Sequence, residues 1–193
     1  MHVAGVETDG AYVLRENTGT SGLEQTVRSA VGVLADHDIP HLIAGGLAVQ
    51  EHGYFRVTLD ADIIVPDVLE AVEWLTADLS GPFKSVPGAE DTVCDTRNGA
   101  QINFLPAGRV LRSRCKVPFP EPNVVSERPR FVTLEKLVSL KLDSWSASPT
   151  SRLRDKSDVV ELIKSRKLPR DLAVDDAVRS LYVETWDALS REG

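Results

Sequence analysis

The sequence predicts an α/β (α+β) domain with a helical C-terminal part, and three observations carry that prediction. Short apolar runs at His41-Leu-Ile-Ala44 and Ala61-Asp-Ile-Ile-Val65 have the length and composition of buried strands. Helix-spaced apolar residues flank them, with Leu23, Val27, Ala30, Val31 and Leu34 before the first and Leu69, Val72, Trp74 and Leu75 after the second. The resulting strand–turn–helix–strand–helix order is that of an α/β domain.

The first 20 residues, rich in Gly, Thr and Asn, read as a flexible lead-in. Ser21-Gly-Leu-Glu24 has capping-box spacing, so a helix is expected over 22–37, stopped near Ile39-Pro40. After the first strand, Gly45-Gly46 breaks the chain and Leu47 to His52 form a short helix ahead of Gly53. Pro66 ends the second strand, and Asp67 starts a helix reaching Leu79. Short strands are expected at 83–86, 92–95, 100–105 and 130–132, with the Pro-rich, basic segment 106–123 as a long surface loop. Thr133 caps a helix over 134–145, and two more follow at 152–165 and 175–190, separated by Leu168-Pro169. The chain therefore divides into a lead-in (1–20), a core (21–132) and a helical region packed on the core (133–193).

With 193 residues, 42% hydrophobic and 26% charged, the chain is long enough to bury a sizeable core as one domain. No run approaches the roughly 20 apolar residues of a membrane span, and Met1 to Glu7 lack the basic-then-apolar pattern of a secretion signal. Cys94 and Cys115 have neither metal-ligand spacing nor the density of a disulfide scaffold, so a reducing cytoplasm is expected. The net charge of −7 argues against a dedicated nucleic-acid binder. Its distribution says more: residues 1–100 carry 5 basic and 16 acidic side chains, and residues 101–193 carry 17 and 13. A carboxylate-rich site facing a basic surface fits that asymmetry, as does unselected surface scatter.

The chemistry concentrates at Gly45-Gly46, followed after the 13 residues 47–59 by Asp60-Ala61-Asp62. Two glycines after a buried strand let the backbone turn tightly and approach a ligand. The helix that follows would aim free N–H groups at phosphate oxygens. On a strand, Asp60 and Asp62 point to the same face. Two carboxylates so close repel unless a positive group lies between them, and a hard cation such as Mg²⁺ bound with a triphosphate supplies one.

This arrangement resembles the DNA polymerase β-like nucleotidyltransferase superfamily, whose motif is an apolar residue, Gly-Gly or Gly-Ser, a gap, then Asp-x-Asp. Gly45-Gly-Leu-Ala, Arg56-Val-Thr-Leu-Asp60, Gly99 to Gly108, Leu137 to Leu142 and Arg152 to Val159 look like segments of a bacterial group that includes abortive-infection toxins and single-domain relatives. The likeness covers residues 40–165. It implies a mixed sheet flanked by helices and transfer of a nucleoside monophosphate from a nucleoside triphosphate to a hydroxyl acceptor, either tRNA or a small molecule such as an antibiotic. It also implies two Mg²⁺ ions at Asp60 and Asp62, with Gly45, Gly46, Arg56, Thr58 and Lys141 against the nucleotide, and a possible cognate antitoxin. Relatives carry a third carboxylate where this chain has Asn103. An amide oxygen is neutral, so the second ion is weakened, and a nucleotide- or partner-binding module without the chemistry is the alternative. A structural protein without ligand is a third reading.

Other residues are read on their own terms. Lys141 falls inside the apolar stripe Leu134, Leu137, Val138, Leu142 and Trp145, so it must snorkel or meet an anion, whether triphosphate or a site carboxylate. Asp155 and Asp158, one turn apart beside Arg152 and Arg154, read as an ion-paired solvated face, while the resemblance favours Arg154 or Asp155 packing toward the cleft without a catalytic role. Asp91 or Asp95 could replace the missing carboxylate, but turn roles are the simpler reading. His52 reads as a helix-end residue. Arg109, Arg112, Arg114 and Lys116 form a basic loop suited to guiding RNA, with few aromatics nearby for base stacking.

Overall fold

In the computed structural model, which describes residues 6–8 and 22–192, the chain runs β1 (Val6–Thr8), α1 (Gly22–Asp36), β2 (Leu42–Ala44), α2 (Gly45–Glu51), β3 (Asp60–Val65), α3 (Val68–Thr76), β4 (Phe83–Val86), β5 (Ala89–Asp95), β6 (Gln101–Pro106), β7 (Phe131–Val132), α4 (Leu134–Ala147), α5 (Leu153–Arg166), a 3-10 turn (Asp176–Val178) and α6 (Arg179–Glu192). The strands form one mixed sheet in the order β1-β7-β2-β3-β6-β5-β4. Ser21 and most of the lead-in lie outside the described residues; Val6–Thr8 pair with β7 at the sheet edge.

β3 sits in the middle, antiparallel to β2 and parallel to β6. Its residues Ala61, Ile63, Ile64 and Val65 are fully buried, which is why the run is almost continuously apolar instead of alternating. α1 and α3 pack on each other and on the strands, and α4 packs on α2 and α5. Residues from the sheet and from the C-terminal helices, among them Phe104, Phe131, Leu142, Val159 and Tyr182, share one hydrophobic core. Each fully buried side chain of this size contributes about 1.5–3 kcal/mol relative to exposure.

Helix starts follow their caps. The Asp67 carboxylate accepts from Leu69 N and Glu70 N, and the Thr133 hydroxyl from Lys136 N. α2 begins at Gly45 itself, because its first residue adopts a positive φ that glycine alone accepts without cost, and the expected start at Leu47 is two residues late. Segment 106–123 is also more than a surface loop. Cys115, Val117 and Phe119 are buried, Val110 bridges to Pro118, and Asp143 Oδ2 accepts from Lys116 N at 2.9 Å and Val117 N at 3.0 Å. Backbone donors that approach the core need an acceptor, and Asp143 supplies it. Among the described residues no helix is long and apolar enough to cross a membrane.

Candidate active site

Strand register brings the site together. Asp62 pairs with Ala44 of β2 on one side and with Asn103 of β6 on the other, and Asn103 pairs in turn with Thr92 of β5. Asp60 and Asp62 meet the same side chain: Asn103 Nδ2 donates to Asp62 Oδ1 at 3.2 Å and reaches Asp60 Oδ2 at 3.5 Å. The nitrogen faces the carboxylates because they only accept, and Thr92 Oγ1 lies 3.3 Å from Asn103 Oδ1. Thr58 Oγ1 donates to Asp60 Oδ1 at 3.2 Å, which fixes the outer carboxylate. Asp60 is exposed and Asp62 half-buried. Burial raises the Asp62 pKa, the hydrogen bond from Asn103 opposes that, and the Asp60 charge adds to it; Lys141 lowers it and Asp155 raises it more weakly.

The glycines sit where the acids require them. Gly45 has φ +61°, and a Cβ on it would overlap Asp62 Oδ2. A Cβ on Gly46 would come within 2.5 Å of Thr58 Oγ1 and 3.3 Å of Arg56 Nη1. No side chain caps the first turn of α2.

Lys141 is buried and paired, which rules out snorkelling. Its Nζ lies 2.7 Å from Asp155 Oδ1 and 2.9 Å from Asp158 Oδ2, and Ser144 Oγ donates to Asp155 Oδ2 at 2.8 Å. Arg56 forks onto Asp158 through Nε at 2.6 Å and Nη2 at 3.0 Å. Asp155 and Asp158 are therefore not a solvated face paired with Arg152 and Arg154: both are buried, and they turn inward to compensate two cations that reach the core from elsewhere in the chain. The sequence carried the signal for half of this, since a lysine inside an apolar stripe demands an anion; nothing local pointed from residue 56 to residue 158. The nearby charges Asp155 and Asp158 outweigh burial and raise the Lys141 pKa, so it stays charged.

A cleft of about 350 Å³ opens beside the acids, within the range of small-molecule sites. Its lining combines polar groups of Asp60, Asp62, Asn103, Lys141 and Asp155 beside Gly45 with the apolar side chains Leu105, Leu111, Phe119, Leu137 and Leu140. Arg152 also lines it, whereas Arg154 points to solvent. Asp91 is on the wall, one strand beyond Asn103. Asp95 is elsewhere: buried, it accepts from Thr26 Oγ1 at 2.6 Å and from Arg97, and holds the β5–β6 turn to α1. Among the described residues no three His, Cys, Asp or Glu side chains converge on a point that could hold a metal. His52 caps α2 and bonds the Val132 carbonyl at 2.8 Å, away from the cleft. Of the basic loop, Arg109, Arg114 and Lys116 are exposed and Arg112 is partly covered.

The mixed sheet flanked by helices is the fold seen in solved nucleotidyltransferase structures. Among solved structures, the chain matches the crystal structure of ANT(2'')-Ia in complex with adenylyl-2''-tobramycin with a TM-score of 0.51 and 12% identity, over 84% of this chain and 97% of that one. The solution structure of the antibiotic-resistance factor ANT(2'')-Ia gives 0.49 and 14%, over 87% and 95%. The Thermotoga maritima CCA-adding enzyme complexed with tRNA gives 0.46 and 14%, over 96% and 46%. At 12% identity the first of these likenesses concerns the fold alone. No family model matches the chain, and no curated protein does.

Proposed function

We propose that the protein is a Mg²⁺-dependent nucleotidyltransferase that moves a nucleoside monophosphate from a nucleoside triphosphate to a hydroxyl acceptor. The observation that carries this reading is the contact between the acid pair and the glycine turn, Asp62 against Gly45, on the wall of the cleft.

The donor set fits a hard divalent cation. Asp60 and Asp62 offer oxygen ligands from one direction, and the Asn103 N–H already serves as the positive group between them. One ion fits this set; a second would draw on Asn103 Oδ1, which is neutral and turned toward Thr92. Such a cation, when bound, would neutralise phosphate charge as the bond from the α-phosphorus to pyrophosphate breaks. The chain's own groups position the substrate. Gly45 and Gly46 keep the turn clear of side chains, Thr58 aligns Asp60, and two of the three Lys141 ammonium donors are taken, leaving the third for a phosphate in the cleft. Arg56 commits three of its five N–H donors to Asp158 and the Val57 carbonyl, and supports the site through the segment that carries Thr58.

The exposed Arg109, Arg114 and Lys116, in the loop that lends Leu111 to the cleft wall, favour an RNA acceptor such as tRNA. A small-molecule acceptor such as an antibiotic is the other class. A cytoplasmic setting and a cognate antitoxin go with the toxin-like version of the reading. The alternative, a nucleotide- or partner-binding module without the chemistry, rests on Asn103. Incubation with α-labelled nucleoside triphosphates, Mg²⁺ and cell extract separates them: label on RNA or on a small molecule, lost in Asp60→Ala, supports the enzyme, and tight binding without labelled product supports the module.

A further inference from the structure

The segment that leads from α2 into the acid strand starts at Tyr54, which packs on the core and donates to Val49 O at 3.1 Å, and then runs outside the sheet. Residues 54–58 belong to no helix or strand, and the outward side chains Phe55, Val57 and Leu59 are 62%, 78% and 81% exposed. The alternate side chains are the ones the site uses: Arg56, Thr58 and then Asp60. Arg56 is the tether. Its side chain is 14% exposed, its fork closes on an Asp158 carboxylate that is 1% exposed, its Nη1 donates to Val57 O at 3.2 Å, and its own carbonyl accepts from Gln50 Nε2 at 2.5 Å.

Asp158 belongs to α5, 102 residues away in sequence, and the same carboxylate also takes Lys141 at 2.9 Å. It therefore joins Lys141 of α4, which lines the cleft, to Arg56 of the segment that leads into the acid strand. We propose that Asp158 is a positioning residue for the triphosphate site: through Arg56 it fixes the segment that sets Thr58 against Asp60, and it shares with Asp155 the task of holding Lys141. A planar guanidinium on a carboxylate sets orientation as well as distance, which a lysine in its place does not. The inference rests on the reading of the cleft as a triphosphate site only for its effect on affinity; the effect on the segment stands apart from it.

Two measurements on the full chain test it. In ¹⁵N relaxation of the ligand-free protein, the amides of residues 55–59 are expected to have order parameters near the rigid value of about 0.85, dropping below about 0.6 in Asp158→Asn and Arg56→Gln, with β3, β6 and α5 unchanged. Calorimetric titration with inorganic tripolyphosphate and Mg²⁺ is expected to show about tenfold weaker binding in Arg56→Gln, at least that much in Asp158→Asn, which also loosens Lys141, and no further loss in the double variant beyond Asp158→Asn alone, since the Arg56 link is already broken there. A segment equally rigid in wild type and variants, or one that loosens only together with the whole of α5, overturns the proposal and leaves Asp158 as a core ion pair. Multiplying losses in the double variant overturn it as well. If wild type binds no tripolyphosphate, the reading of the cleft fails while relaxation still decides the role of Asp158. Should Asp158→Asn not fold, Arg56→Lys keeps the charge, loses the fork and undergoes the same relaxation test.

Discussion

Asn103 Nδ2 lies 3.2 Å from Asp62 Oδ1, so an amide hydrogen occupies the space between two carboxylates where their mutual repulsion calls for positive charge. Asn103→Asp removes that donor and adds a third negative group. Without metal the variant is expected to lose about 1–2 kcal/mol of stability at neutral pH. With Mg²⁺ its melting temperature is expected to rise more than that of wild type. Thermal unfolding with and without Mg²⁺ checks both; equal shifts in the two proteins would remove Asn103 from the cation site.

Gly45 has φ +61° and no room for a side chain beside Asp62. Gly45→Ala is expected to cost about 1–2 kcal/mol for the left-handed backbone alone, and more for the displaced carboxylate. Urea unfolding reads the first effect and nucleotide transfer the second. An alanine variant with wild-type stability would mean that the turn relaxes away from the acid strand.

Lys141 compensates two buried carboxylates. Lys141→Met leaves Asp155 without its cation and Asp158 with Arg56 alone, a loss expected at about 3–5 kcal/mol. Denaturant midpoints of wild type and variant at neutral pH measure the loss.

His41 and His52 give the fold an acid limit of their own. Burial, as the largest cause, lowers the pKa of both; for His52 the Val132 carbonyl and Glu135 pull the other way and Arg166 adds to the lowering. A folded pKa below the unfolded one means that the contribution is complete above the unfolded value near 6.5 and is lost as pH falls through the folded values. Stability is therefore expected to decline on acidification from that point, and His41→Gln to flatten the decline. Unfolding midpoints across the pH series decide it.

The elements of the fold were largely legible because each has a local cause: apolar runs for β2 and β3, Asp67 and Thr133 as caps, and a glycine pair that opens α2. The acid pair and the glycine turn were legible for the same reason, being short-range patterns whose meaning depends on spacing. What escaped was long-range. Asp155 and Asp158 look like surface residues beside Arg152 and Arg154, and only tertiary packing shows that their partners are Lys141 and Arg56. The 106–123 segment misled in the opposite sense, since its Pro and Arg residues hide the three buried side chains Cys115, Val117 and Phe119 and the acceptor Asp143 that comes from α4.

The charges around the cleft lead to the most direct test. Arg56 and Lys141 are balanced by Asp155 and Asp158, and of the remaining charges on the cleft wall Asp60, Asp62 and Asp91 outnumber Arg152, so the cleft is net negative and does not favour a bare polyphosphate. Calorimetric titration with nucleoside triphosphates, with Mg²⁺ and then with a chelator, is expected to show saturable binding only when Mg²⁺ is present and none in Asp60→Asn/Asp62→Asn. Binding that is equal with and without Mg²⁺, or undiminished in the double variant, would contradict the account.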